Sequence, residues 1–146
     1  KLRHPCITTV MGAVVDAGWE PMLVMELMEH GSLHDLIHNR TVRFTGELVI
    51  PILRHVAQGL TFLHQHPIVH GDVKAANVLV DAQFRGKVAD FGLSSKKGNA
   101  SGTPFWMAPE LLRGGPNTPQ SDIYAFGITL WEVYARAEPY GSEDPQ

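Results

Sequence analysis

The run His70-Gly71-Asp72-Val73-Lys74-Ala75-Ala76-Asn77 sets a carboxylate, a cation and an amide at short, regular intervals. Asp90-Phe91-Gly92 begins thirteen residues after Asn77, and Gly102-Thr103-Pro104-Phe105-Trp106-Met107-Ala108-Pro109-Glu110 follows it. A carboxylate can accept or orient the proton of an attacking hydroxyl. An ammonium can offset charge on an anionic group. Carboxylate and amide oxygens suit Mg²⁺, a hard ion that prefers oxygen ligands and keeps waters. These are the needs of phosphoryl transfer, which asks the protein for positioning and charge neutralisation rather than covalent work. Taken singly, each residue has a plainer reading. Asp90 after Val88-Ala89 can end a strand, Lys74 can be a solvated surface lysine, and Asp122 can be an acid at a helix N-terminus. The histidines His30, His34 and His38, and the group His64, His66 and His70, invite a metal site. One helix face does not supply the third and fourth ligands such a site needs, and His30 precedes the break at Gly31. Solvated or hydrogen-bonded histidines are the ordinary case.

The elements that must position these residues are short. Residues 6–15 are β-rich and end at the turn Asp16-Ala17-Gly18; residues 22–28 are an apolar run best read as a buried strand. Gly31-Ser32 breaks that run, and Ser32 is suited to cap a short helix over 33–38. Val49, Ile52, Leu53, Val56, Leu60 and Leu63 recur at helical spacing and predict an amphipathic helix over 48–65. Pro51 is tolerated in a first turn but not deeper, which leaves the start of that helix open. Three β runs follow, at 68–70, 78–81 and 87–89. Ile123, Phe126, Gly127, Leu130, Trp131 and Tyr134 then predict a second long helix, apolar on most faces as a buried central helix would be, with Ser121 as its cap. Helices joined by small β-hairpins make an α+β arrangement rather than a parallel α/β sheet.

Bulk properties exclude several classes. The chain has 146 residues, 44% of them hydrophobic, which is enough for a domain with a core. Only 18% are charged, so long disordered charged tails are not expected. The net charge of −3, with no basic run, does not indicate nucleic acid or an anionic membrane surface as a partner. Cys6 is the single cysteine, so no intrachain disulfide forms, which suits a reducing cytoplasmic setting. No apolar stretch approaches the ~18 residues of a membrane-spanning helix, and no signal peptide is visible.

The three motifs, in this order and spacing, resemble the eukaryotic protein kinase catalytic domain, and the resemblance covers essentially the whole chain. It implies a protein-kinase-like α+β fold, mainly the helical C-lobe with the last strands of the N-lobe: residues 1–25 as N-lobe remnant, 26–32 as hinge and 33–146 as partial C-lobe. It implies ATP-dependent phosphorylation of protein substrates. Asp72 would act on the substrate hydroxyl, Lys74 would offset phosphate charge, and Thr103 would hydrogen-bond that pair. Asn77 and Asp90 would hold Mg²⁺. Met25 would be the gatekeeper beside the adenine pocket. The backbone of Glu26 and Met28 would bond adenine, Ser32 would lie near the ribose, and Leu79 would floor the pocket. His70 and Phe91 would stack in a column below Val10, and Asp122 would bond the backbone of the 70–77 loop. Lys74 and Gly102-Thr103-Pro104 point to Ser/Thr specificity, and Trp106-Met107 resembles the tyrosine-kinase-like group, relatives of Raf and mixed-lineage kinases.

Two departures stand out. Gly71 replaces the arginine that in the family pairs with an activation-loop phosphate, which predicts activity less dependent on loop phosphorylation. Ser94, Ser95 and Ser101 are phosphosite candidates by residue type. The sequence also holds no Gly-rich loop, no strand lysine with its partner glutamate, and no final helices of the large lobe. It does not begin with Met. The expectation is a fragment that is inactive on its own, within a parent Ser/Thr kinase. The competing expectation is a pseudokinase or kinase-homology module that binds without transferring; retention of Asp72, Lys74, Asn77 and Asp90 favours the enzyme.

Overall fold

The computed structural model describes residues 2–16, 18–89 and 103–141. The expected α+β arrangement is what forms: two separate two-stranded antiparallel sheets and a set of helices. The first sheet pairs β1 (Val10–Val14) with β2 (Met22–Met25), Val14 opposite Met22 and Val10 opposite Met25, with a register shift between Val10 and Gly12. The expectation of a buried strand over 22–28 is overturned. β2 ends at Met25, and all of β1 and all but Met25 of β2 are exposed, Leu23 at 67%. Burial begins only at Met28. The apolar character of 22–24 signals β-propensity, not a core position.

The second sheet is a hairpin of β3 (Val78–Val80) and β4 (Gly86–Val88), Val78 opposite Val88. Its outer edges are both covered. Along β4, Thr8 donates its N–H to Val88 O at 3.1 Å and Val88 donates to Cys6 O at 2.8 Å. Along β3, His30 donates to Val80 O at 3.0 Å and Val80 donates to Gly31 O at 2.9 Å. Residues 6–8 therefore serve this hairpin rather than β1, which is why only part of the β-rich run 6–15 pairs with β2.

Helix α1 (Leu33–His38) starts where Ser32 predicts. Ser32 Oγ accepts the Asp35 N–H at 3.1 Å and Asp35 Oδ2 accepts the Ser32 N–H at 3.3 Å, a reciprocal cap. Helix α2 (Gly46–Gln65) buries the six apolar residues singled out by their spacing. It begins two residues earlier than predicted, so Pro51 lies in its second turn. The proline is exposed, which leaves the carbonyl it cannot serve within reach of water. Gly59 lets α2 approach closely: a Cβ there would lie 2.7 Å from Cys6 O and 2.9 Å from Val88 Cγ2. The core joins α1, α2, the hairpin, Val73, Ala75 and Trp106.

Short helix α3 (Pro109–Leu112) leads to α4 (Pro119–Ala135). The cap of α4 is Thr118, not Ser121. Thr118 Oγ1 accepts the Ser121 N–H at 3.2 Å and Ser121 Oγ accepts the Thr118 N–H at 2.9 Å, so Ser121 is the third helical residue of the capping box. Nor is α4 buried on most faces. Ile123, Trp131 and Tyr134 are more than half exposed, while the inward stripe is Ser121, Asp122, Ala125, Thr129, Glu132 and Val133. Arg136 ends the helix in the left-handed conformation (φ 51°) and donates to Ile37 O at 2.6 Å and Asn39 O at 3.2 Å, tying the ends of α4 and α1 together.

Candidate active site

Residues 68–70 were expected to form a strand and do not. The Ile68 N–H returns to Leu63 O at 3.0 Å, closing the end of α2, and the next groups turn to side-chain partners. Asp122, 1% exposed, accepts the His70 N–H on Oδ2 at 2.8 Å and the Gly71 N–H on Oδ1 at 2.9 Å. Two successive N–H groups converge on one carboxylate because the chain turns sharply at Gly71, whose φ of +82° favours glycine. His64 Nε2 lies 2.8 Å from Asp122 Oδ2 and completes the carboxylate's shell. The expected contact of Asp122 with the loop backbone is thus present, and its position in the first turn of α4 fits the plainer reading as well.

His70 is buried, and both ring nitrogens are used. Nε2 lies 2.6 Å from Ala89 O, which can only accept, so Nε2 carries the hydrogen; Nδ1 then accepts the Asp72 N–H at 3.0 Å. This fixes the backbone of Asp72 between α4 below and the end of β4 above. The side chains then converge. Thr103 donates its N–H and its hydroxyl to Asp72 Oδ1, at 3.1 and 2.9 Å. Lys74 Nζ donates to Thr103 Oγ1 at 2.7 Å and stands 3.8 Å from Asp72 Oδ2. Asn77 Nδ2 donates to Asp72 O at 2.7 Å and to Asp72 Oδ2 at 3.1 Å. The 3₁₀ turn Ala75–Asn77 presents Asn77 to the site, and the Asn77 carbonyl accepts the Ala89 N–H at 2.9 Å. Asp72, Lys74, Asn77 and Thr103 are therefore assembled in one cluster. Asp90, Phe91, Gly102 and the serines Ser94, Ser95 and Ser101 lie outside the described residues.

The remaining expected residues lie along 25–32 and β3. Glu26 donates its N–H to Thr9 O at 3.1 Å. Its carboxylate accepts from Thr9 N at 2.8 Å and from Lys87 Nζ at 2.7 Å. Burial opposes ionisation there, but the Lys87 ammonium and the Thr9 N–H outweigh it and hold the Glu26 carboxyl below its usual range. Met28 is buried, and Met25, Ser32 and Leu79 are half-buried; Ser32 bridges directly to Leu79. Val10, expected above His70, is 42% exposed. Among the described residues no group of three or more His, Cys, Asp or Glu side chains could hold a metal ion. His64 orients Asp122; His38 Nδ1 lies 2.9 Å from His34 O and His66 Nδ1 lies 2.8 Å from Phe62 O.

Two residues of this constellation carry no mark in the motifs as roles. Trp106 lies 5.9 Å beneath the Lys74 ammonium, and Glu132 receives the Trp106 indole N–H at 3.1 Å. The signal for Glu132 was a lone acid inside an apolar helical run, at helical spacing from Asp122, Ala125 and Thr129.

Comparison with known proteins bears on this geometry. The family model described as protein tyrosine and serine/threonine kinase matches residues 1–146. The serine/threonine-protein kinase CTR1 of Arabidopsis thaliana is 40% identical over 156 residues, covering 99% of this chain and 19% of that protein. The dual specificity protein kinase shkC of Dictyostelium discoideum is 38% identical over 151 residues, covering 96% of this chain and 30% of that protein. The probable serine/threonine-protein kinase SIS8 of Arabidopsis thaliana is 38% identical over 154 residues, covering 99% of this chain and 15% of that protein. The chain spans less than a third of the length of each of these relatives.

Proposed function

The chain belongs to the protein tyrosine and serine/threonine kinase family, and from that premise we propose that the protein containing it transfers the γ-phosphoryl group of ATP to serine or threonine hydroxyls of protein substrates, in signal transduction. The observation that carries the proposal is the cluster in which the Asp72 carboxylate is held by Thr103, Lys74 and Asn77 within 3.8 Å. Asp72 keeps an exposed face, its side chain 36% accessible, from which it can accept the proton of an incoming hydroxyl. Lys74, fixed by Thr103, offsets charge on the transferring phosphate. Asn77 donates through Nδ2 to Asp72, which leaves Oδ1 as the atom to meet a cation. Asp90 would add a carboxylate oxygen. An amide oxygen and a carboxylate are donors that fit Mg²⁺; Asn77 and Asp90 would hold that ion, which would supply charge neutralisation for the transferring phosphate.

ATP would lie across residues 26–32, taken as the hinge between the N-lobe remnant 1–25 and the partial C-lobe 33–146. The Met28 N–H has no acceptor among the described residues, and it and the Glu26 carbonyl would be the groups to bond adenine. Met25 would flank the ring, Leu79 would lie beneath it, and Ser32 would approach the ribose. Ser/Thr specificity rests on Lys74, the Gly102-Thr103-Pro104 run and the similarity to serine/threonine-protein kinases, and membership of the tyrosine-kinase-like group rests on Trp106-Met107. Among the described residues no helix is long and apolar enough to cross a membrane. A cytoplasmic setting, for the protein or the part of it that holds this chain, is part of the same proposal.

Asp72→Asn in the full-length protein should lower phosphoryl transfer by about 10²–10⁴-fold, the usual worth of a positioned base, with nucleotide affinity unchanged. Unaltered turnover would remove Asp72 from the role given to it. Nucleotide binding by a wild-type protein that transfers nothing would favour a binding module instead.

A further inference from the structure

We infer that Glu132 is a positioning residue for the phosphoryl-transfer site and acts through Lys74. Its side chain is 1% exposed, in the last turn of α4. Oε2 accepts the Ala75 N–H at 3.2 Å and the Trp106 indole N–H at 3.1 Å, and Oε1 lies 3.4 Å from His34 Nδ1. Each of these partners belongs to a different part of the chain. Ala75 follows Lys74 directly and opens the 3₁₀ turn that presents Asn77. Trp106 lies in the turn after Thr103, and its ring sits 5.9 Å under the Lys74 ammonium, within reach of a cation–π attraction. His34 belongs to α1.

One side chain therefore fixes the backbone on the C-terminal side of Lys74 and the ring below its charged end. The ammonium is held from above by Thr103 Oγ1 at 2.7 Å. A long, flexible lysine gains a defined position only if its stem, its head and the surface beneath it are all constrained. Among the described residues, Glu132 is the group that links the last of these to the first. Burying a carboxyl group in a helix interior is unfavourable unless its oxygens are satisfied. Here the satisfying donors are the two groups that frame Lys74.

The inference rests on the proposed kinase activity, and the experiment separates the two. Single-turnover phosphoryl transfer is measured on the full-length protein, by autophosphorylation and with a degenerate serine/threonine peptide library. Glu132→Gln is compared with wild type, and the same change is made in a Lys74→Ala background. Glu132→Gln keeps the shape but sets an amide N–H₂ among donors. We expect it to lower the transfer rate by roughly 10–30-fold, within the loss of about 10²–10³-fold for removing a whole charge-stabilising group, with KM for ATP changed less than about twofold. In the Lys74→Ala background the further loss should be under about twofold, because residues that act as a unit are not additive. A general packing role gives the same fold-loss in both backgrounds, and that result overturns the inference; so does a transfer rate for Glu132→Gln within twofold of wild type. If Glu132→Gln does not fold, Trp106→Phe removes the indole N–H together with one of the two fused rings, and it carries the same comparison between the Lys74 and Lys74→Ala backgrounds. A wild-type protein that transfers no phosphate refutes the kinase proposal itself, and the role of Glu132 falls with it.

Discussion

Asp122 offers the sharpest test of how the site is built. Replacing it with alanine leaves the His70 and Gly71 N–H groups, now bonded at 2.8 and 2.9 Å, without an acceptor. His64, with a side chain 17% exposed, can turn to water, so it adds little. Two backbone donors left unpaired in a buried setting cost about 1–3 kcal/mol each, or about 2–6 kcal/mol together. At roughly 2–4 °C per kcal/mol for a domain near this size, Asp122→Ala should lower the melting temperature by on the order of 10 °C. Asp122→Asn should fall between. Its oxygen can stay with the two donors on the Oδ2 side, but its N–H₂ then faces the Gly71 N–H, so about half the loss is expected. Thermal and urea unfolding followed by circular dichroism would give both numbers. A cost below about 1 kcal/mol for the alanine variant would mean the loop at 70–72 is held by something other than Asp122, and the structural account of the turn at Gly71 would be wrong.

Two other perturbations follow from the same geometry. Gly59→Ala should gain about 1 kcal/mol of helix propensity but lose more, because its Cβ would overlap Cys6 O at 2.7 Å and Val88 Cγ2 at 2.9 Å. A net destabilisation of about 1–3 kcal/mol in denaturant unfolding is expected, and a stabilised variant would contradict the close approach. Asp81 is the second: burial opposes its ionisation, but the Arg85 and Gln83 N–H groups and the Arg85 guanidinium outweigh that and hold its carboxyl below the usual range. A depressed pKa gives stability that is present above the unfolded value of about 3.9 and is lost as pH falls through the folded value. Asp81→Asn should therefore flatten the acid limb of the stability–pH curve below about pH 4; an unchanged limb would place the acid sensitivity elsewhere.

Most of the site was legible because its chemistry is local. Asp72, Lys74 and Asn77 lie within one short loop, where residue types alone suit phosphoryl transfer, whereas Thr103, inside the third motif, was tied to them only by the resemblance to the kinase family; the distances display that cluster. Helix α2 was legible for a different reason: its six apolar residues face one side of a 3.6-residue period, and all are buried. In α4 the same rule pointed the wrong way. Its bulky apolar residues Ile123, Trp131 and Tyr134 lie outward, and its inward stripe is built from small and polar residues. Asp122 and Glu132 sit inward because each meets buried N–H donors from other segments, a requirement that no local pattern carries. The run 22–25 failed similarly, since β-propensity does not say whether anything packs on the strand. Residues 68–70 look like a strand by composition, but the groups that would pair in a ladder are taken by Leu63, Asp122 and Ala89.

The covered edges of the β3–β4 hairpin have a consequence for how the chain reaches this state. Thr8 bonds Val88, a partner 80 residues away. At a synthesis rate of about 5–20 residues per second, residues 6–8 emerge roughly 4–16 s before the strand they complete. During that interval Cys6, Ile7 and Thr8, all buried in the finished structure, have no edge to join. The strand carrying Val88 likewise lacks one neighbour until they return. Non-local pairing of this kind is slow to form, because the loop must close before any contact rewards it. The cover of the β4 edge by residues 6–8 is therefore expected to set later than the local β3–β4 pairing itself. A stretch of this chain that lacks residues 6–8 should leave the edge of β4 open to adventitious strands.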